Sequence, residues 1–131
     1  MEAPMNYALR LLKIKNYYIK EIYDKLSKKY NPQQVHSTIK KLIISDYIND
    51  KKLVKLKIEY FITVKKYSRK YIRNYFESKC ISLNLVDYYL EGYKEYVFIN
   101  NKKQIINNLK EKGKKDVYIK DYLIRKGYDE Q

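Results

Sequence analysis

Apolar positions along the chain recur at spacings of three, four and seven, the period of a helix surface. Ala8, Leu12, Ile19, Ile22 and Leu26 fall on one narrow stripe, which predicts a long first helix over about residues 5–29. It stops before Asn31-Pro32. Asn31 suits an N-cap, Pro32 the first helical position and Gln34 the far corner of a capping box. A second helix follows, with Val35, Ile39, Leu42 and Ile43 on its apolar face. Residues 45–49 read as a turn, and Asn49 or Asp50 can cap a third helix.

The third segment carries two patterns. Leu56-Lys57-Ile58-Glu59-Tyr60 alternates as a strand would, while Leu53, Leu56, Tyr60 and Val64 fit a helix. No partner strand is evident nearby, so a helix that is apolar on most sides and central in the core is expected. Ser68 caps a short fourth helix with Tyr71, Ile72, Tyr75 and Phe76 inward. Ser82 caps a fifth with Leu85, Val86, Tyr89 and Leu90. Tyr96, Ile99, Ile106 and Leu109 outline a sixth, and Val117, Tyr118, Tyr122 and Leu123 begin a seventh. Two prolines and three glycines are few breakers for such a chain, and the fold class expected is all-α.

A short pattern returns along the chain. Leu26 to Lys29-Tyr30, Phe76 to Lys79-Cys80 and Leu123 to Lys126-Gly127 each pair an apolar residue with a lysine three positions on, at spacings of 50 and 47 residues. Leu109 to Lys112-Gly113 fits the same pattern out of phase. With the recurring order of helix, cap and helix, this suggests stacked helical units.

Composition narrows the function. The 131 residues suit one domain or one short repeat array, and 45% hydrophobic content argues against disorder. No apolar run approaches the roughly 20 residues of a membrane span. Lys13, Lys15 and Lys20 lie where a signal peptide would be apolar. A single cysteine, Cys80, leaves no internal disulfide and no cysteine zinc site, and a reducing cytoplasm is the simplest compartment. One histidine, His36, has no local signature linking it to Cys80, and three isolated glycines make no phosphate loop. No cofactor and no metal are expected, and the protein is read as a binder rather than an enzyme.

The charge is lopsided, with 29 basic against 15 acidic side chains and a net +14. Residues 51–90 hold half of that excess, ten basic against three acidic. The densest piece is Lys65-Lys66-Tyr67-Ser68-Arg69-Lys70-Tyr71-Ile72-Arg73, around the start of the fourth helix. A helix start with surrounding cations suits phosphate, and equally an acidic protein surface. The plainer reading is that a chain rich in Lys, Ile, Asn and Tyr reflects AT-rich codons. The 17 tyrosines could stack on bases, or could be core residues whose hydroxyls reach the surface.

The order of these motifs resembles the RecX family of regulators of the recombinase RecA. The family's opening helix, A-x3-L-x2-R-x2-S-x2-E-L-x3-L, is similar to Ala8, Leu12, Lys15, Tyr18, Glu21, Ile22 and Leu26. Leu42 and then Tyr47-Ile48-Asn49-Asp50-Lys51-Lys52-Leu53-Val54 resemble the family's Y-L-N-D-E-R-F-A segment. Ser68 through Ile72-Arg73 to Phe76, Lys79, Cys80 and Ile81 resemble its G-x2-R-I-x2-E-L-x2-K-G-I unit. Tyr122-Leu123-Ile124-Arg125-Lys126-Gly127-Tyr128 resembles Y-L-x-R-K-G-F of the third repeat. Ser68 and Cys80 replace family glycines, so slightly different turns are expected, since both residues are strained at positive φ. Tyr18 replaces a serine. The chain ends at Gln131, where the last helix of a third repeat would begin, so an incomplete third unit is expected.

The resemblance implies three tandem three-helix units, about 5–46, 47–92 and 93–131, in an elongated, curved array. It implies a monomeric, cytoplasmic, non-enzymatic protein that binds the RecA filament on single-stranded DNA, lodging along its groove. Such proteins inhibit the ATPase, strand-exchange and coprotease activities and alter filament growth. Contacts to the filament, or directly to DNA, are assigned to Lys65, Lys66, Arg69, Lys70, Arg73 and Lys79. Glu21 and Asp50 match family positions and are read as structural, Asp50 at a helix start. Two other readings stay open: a small helical DNA- or RNA-binding protein unrelated to recombination, and a helical scaffold whose lysines merely solvate it.

Overall fold

The computed structural model describes residues 2–128; Gln131, the expected break in the third unit, lies outside them. Among the described residues the chain is all-α, eight helices with no strand. It forms two compact units, residues 1–53 and 54–131.

In the first unit α1 (Pro4–Ile14), α2 (Ile19–Ser27) and α3 (Pro32–Ile44) pack on one another. The single long helix expected over 5–29 is two helices. Lys15 is extended, and Tyr18 takes the extended conformation of an N-cap. The break holds because α2's first amides find carboxylates. Glu21 Oε1 accepts from Tyr18 N at 2.9 Å, and Asp50 Oδ1 accepts from Ile19 N at 2.9 Å. Each would otherwise be an orphan donor at a helix start. Asn31 opens α3 with a full capping box: its Oδ1 accepts from Gln34 N at 2.9 Å, and Gln34 Oε1 accepts from Asn31 N at 3.2 Å. The core here is Ala8, Ile22, Leu26, Val35, Ile39, Leu42 and Ile48. Ile43, expected on the inner face, is exposed.

The boundary between the units falls within α4 (Asp50–Thr63), after Leu53. Asn49 caps it, accepting from Lys52 N at 3.1 Å. The strand-like alternation is not realised. The helix is also not buried all round: Val54, Ile58, Phe61 and Ile62 are buried, while Leu56, Tyr60 and Val64 are exposed. The expected face is turned outward by nearly half a turn.

The second unit continues with α5 (Arg69–Ser78), α6 (Leu83–Leu90), α7 (Glu95–Glu111) and α8 (Asp116–Arg125). Helices α5 and α6 pack together, as do α7 and α8. Phe61 is the centre of an aromatic cluster, with ring centroids 4.8 Å from Tyr75, 5.2 Å from Tyr67 and 6.3 Å from Phe76. Ile105, Leu109, Ile119 and Tyr128 form a further cluster under α7 and α8. On α7 the inner face is Phe98, Asn101, Ile105 and Leu109, whereas Tyr96 and Ile99, expected inward, are exposed. Asn101 is buried because its Nδ2 donates to the Ile62 carbonyl at 2.9 Å, near the end of α4. Val117 and Tyr118 of α8 are also exposed, and Ile119 takes the buried place.

The recurring apolar-to-lysine pattern marks helix ends. In three of its four copies the residue after the lysine is left-handed: Cys80 at φ 60°, Gly113 at 78° and Gly127 at 93°. The next amide returns to the apolar residue: Ile81 N to Phe76 O, Lys114 N to Leu109 O and Tyr128 N to Leu123 O. This is the Schellman closure. The out-of-phase copy closes like the others. The copy at Leu26 differs, with Tyr30 N bonded to Leu26 O and no left-handed residue there. The pattern reports how helices stop, and its three in-phase copies fall at the ends of α2, α5 and α8. Of the two residues that replace family glycines, Cys80 is left-handed and carries the strain of a side chain there, while Ser68, at φ −70°, is ordinary for an N-cap.

Cys80→Gly is therefore expected to raise stability by roughly 0.3–1 kcal/mol, the left-handed strain less the freedom glycine regains when unfolded. Gly127→Ala should cost about 2–4 kcal/mol, since its Cβ would clash with Ser68 Oγ and sit 2.6 Å from Tyr71 Cβ. Urea unfolding of both variants checks this; an unstable Cys80→Gly would refute the strain argument.

Candidate partner interface

The basic segment begins where α4 ends. Lys66 stands left-handed at φ 55°, and the Tyr67 amide returns to the Phe61 carbonyl at 3.0 Å. This turn is held by the end of α8, some sixty residues on. Lys126 Nζ donates to the Lys65 carbonyl at 3.0 Å, and Tyr128 Oη donates to the Lys66 carbonyl at 2.7 Å. Ser68 N donates to the Lys126 carbonyl at 3.0 Å. Ser68 Oγ in turn accepts from Tyr71 N at 3.0 Å and opens α5. Gly127 is required at this crossing, because only a residue without Cβ lets the two segments approach so closely.

Three lysines meet at this crossing. Burial holds the Lys126 ammonium below its ordinary pKa, and the charges of Lys65 and Lys66 push it further down. Its Nζ lies 4.7 Å from the Tyr67 ring centre and 5.5 Å from that of Tyr122, which offsets part of the cost by cation–π attraction. Tyr67 stacks on Tyr71 with centroids 3.8 Å apart and planes 15° from parallel. Burial raises the Tyr67 phenol to about 12, with its hydrogen bond to Tyr71 and nearby tyrosines adding. Burial alone raises Tyr128 to about 12.

The other candidate cations lie apart from this group. The Arg69 guanidinium donates to the Leu90 carbonyl at 3.4 Å and the Tyr93 carbonyl at 3.2 Å. It also lies 4.7 Å from the Phe98 ring centre and 3.6 Å from Glu95. Arginine here closes the C-terminal end of α6, where carbonyls lack helical partners. Arg73 grips Asp87 of α6 with two bonds, Nε to Oδ1 at 2.9 Å and Nη2 to Oδ2 at 3.3 Å, which raises its pKa. Lys70 is exposed one position after Arg69, beside a cleft between α5 and the end of α8. Lys79 is exposed at the opposite end of α5, its Nζ 5.8 Å from the Tyr75 ring centre.

Glu21 and Asp50 belong to the first unit and hold the start of α2. Burial raises the Asp50 carboxyl, the Ile19 amide opposes that, and Glu21 adds to it. Lys126 was not singled out as a contact from the sequence, although it stands in the third-repeat motif. Only the fold brings it beside Lys65 and Lys66. Among the described residues no three His, Cys, Asp or Glu side chains gather as metal ligands, and no helix is long and apolar enough to cross a membrane.

An all-helical chain whose short helices are closed in this way has solved counterparts. The crystal structure of RecX from Lactobacillus salivarius superposes with a TM-score of 0.79 at 24% identity, over 96% of this chain and 86% of that one. A crystal structure of regulatory protein RecX superposes with a TM-score of 0.75 at 18% identity, over 96% of this chain and 66% of that one. The fold is that of these RecX structures, and both support the resemblance read from the sequence. No family model matches the sequence, and no curated protein does.

The raised tyrosines set the alkaline behaviour. A phenol at about 12 when folded and 10.0 when unfolded retains its proton in the folded state, so its stabilisation is complete below pH 10.0 and is lost as pH rises through 12. Lys126 acts oppositely, since its lowered value favours folding as pH approaches 10.5. Tyr128→Phe should therefore be less stable than the parent near neutrality, having lost the bond to Lys66, yet lose less stability from about pH 10 to 12. Urea midpoints across that range, compared between the two, test it; parallel curves would contradict it.

Proposed function

We propose that the protein is a RecX-type regulator that binds the RecA filament on single-stranded DNA. In this reading it lowers RecA's ATPase, strand-exchange and coprotease activities and does no chemistry of its own. The observation that carries it is the match of 96% of the chain to two structures that are both RecX. The family motif order, from Ala8 to Tyr128, supports it independently of the fold. The helix order supports three units of about 5–46, 47–92 and 93–131: α1 to α3, α4 to α6, then α7 and α8.

Lys65 and Lys66, with Lys126 added, are assigned to the filament or its DNA, and Lys70 and Lys79 to the flanks of that surface. Arg69 and Arg73 contribute through position, by fixing α5 against α6 and its following turn. Positive charge speeds association with a polyanionic filament. A second reading, direct nucleic-acid binding without RecA, is favoured by the crossing that brings Lys126 onto the Lys65 carbonyl, beside Lys66. Such binding would weaken steeply with salt.

The deciding measurement is the single-stranded-DNA-dependent ATPase of the cognate RecA, titrated with this protein. Substoichiometric inhibition is expected. Replacing Lys65, Lys66 and Lys126 together by Glu should raise the half-inhibiting concentration by about tenfold or more. Unchanged ATPase with filaments that form normally would sink the proposal.

A further inference from the structure

A cleft of about 680 Å³ opens beside the lysine group, within the second unit. That volume falls in the range of roughly 300–1,000 Å³ typical of small-ligand pockets. One wall is a single face of α5, with Lys70, Tyr71, Asn74, Tyr75 and Ser78 at spacings of one, three, one and three. The other is the end of α8, with Ile124, Gly127 and Tyr128. Among the described residues that line it there is no carboxylate.

Tyr67 covers one face of Tyr71 and does not itself line the cleft, so a flat ring laid against Tyr71 there would extend the Tyr67–Tyr71 stack. Asn74, exposed three positions on, offers an amide that both donates and accepts, as the edge of a base requires. Lys70 supplies a cation at the rim, and Gly127 in the wall adjoins Lys126, bonded to Lys65. An aromatic platform, an amide and a cation, continuous with further cations, match a base and its phosphate in a strand. A duplex hides its base faces and could not use the platform. An acidic peptide could use the lysines, but would use the stack only where it carried an aromatic side chain.

We infer that this cleft accepts one unpaired nucleotide of a single-stranded nucleic acid, its base on Tyr71 and Asn74 and its phosphate on Lys70, with the strand continuing over Lys65, Lys66 and Lys126. The inference rests on the direct-contact part of the reading above and involves no RecA.

The test uses the whole chain and a fluorescein-labelled oligothymidylate of about ten nucleotides, without RecA. Tyr71→Leu should weaken binding by about tenfold while Tyr71→Phe retains it. Asn74→Ala, at an exposed site that leaves the fold intact, should weaken it about threefold, and Lys70→Ala should lower the salt slope by about one. Lys13→Ala, in the first unit, should change little. A strand carrying one 5-iodouracil should photocrosslink to the peptide containing Tyr71 and Tyr75. Oligothymidylate should bind far more tightly than free thymidine monophosphate. Equal affinities for the two would overturn the strand reading. Binding with unchanged affinity in Tyr71→Leu and Asn74→Ala, and crosslinks elsewhere, would overturn the cleft while leaving direct contact standing. No binding by the parent would overturn both, and RecA inhibition could still be intact.

Discussion

Short helices leave a large share of their backbone groups without helical partners, and the fold depends on closing those ends. Side chains do much of this from far along the sequence. Asp50 serves the first amide of α2, Asn101 the Ile62 carbonyl in the last turn of α4, and Arg69 the carbonyls after α6. Each bond does two jobs, satisfying a backbone group and fixing one element against another. A buried carbonyl or amide left unpaired costs about 1–3 kcal/mol, so these polar side chains sit at buried or half-buried positions that hydrophobic packing alone would give to leucine.

The same economy shapes the basic segment. Of the candidate cations, the two arginines fix α5 against α6, while Lys65, Lys70 and Lys79 are exposed and Lys66 donates to the nearby Thr63 carbonyl. That division follows from chemistry: a planar guanidinium can hold two carbonyls or both oxygens of a carboxylate, while an ammonium on a flexible stem is a point charge. The lysine group is electrostatically unfavourable by itself. It persists because Lys126 is held by the Lys65 carbonyl and two aromatic rings, and a bound anion would relieve the repulsion.

What the sequence disclosed depended on how local the signal was. Asn31-Pro32 with Gln34 is a complete capping box within four residues, and α3 begins there. Ser68 likewise caps α5 as expected. The break between α1 and α2 was hidden because Tyr18 stands where a serine would have announced a cap, and because one apolar stripe runs across the gap. On α4 both sides of the helix carry apolar residues, so Leu53, Leu56, Tyr60 and Val64 were as good a stripe as Val54, Ile58, Phe61 and Ile62. On α7 the true inner face passes through Asn101, a polar residue that breaks the pattern unless its distant partner is known. The roles of Arg69 and Arg73, and the arrival of Lys126 beside Lys65, depend on pairs separated by 14 to 61 residues. No local pattern encodes them.

The crossing of the α4–α5 turn with the end of α8 also bears on how the cationic group arises. Lys65 and Lys126 are 61 residues apart, so the cationic group does not exist in a partly folded chain. Forming it closes a long loop, whose entropy must be spent before the contact returns anything. A ligand that needs all three lysines therefore recognises only the completed unit, and its binding free energy adds to the unit's resistance to unfolding. Recognition and folding of this half of the molecule are thermodynamically linked: a polyanion that bound there would stabilise the completed unit against unfolding.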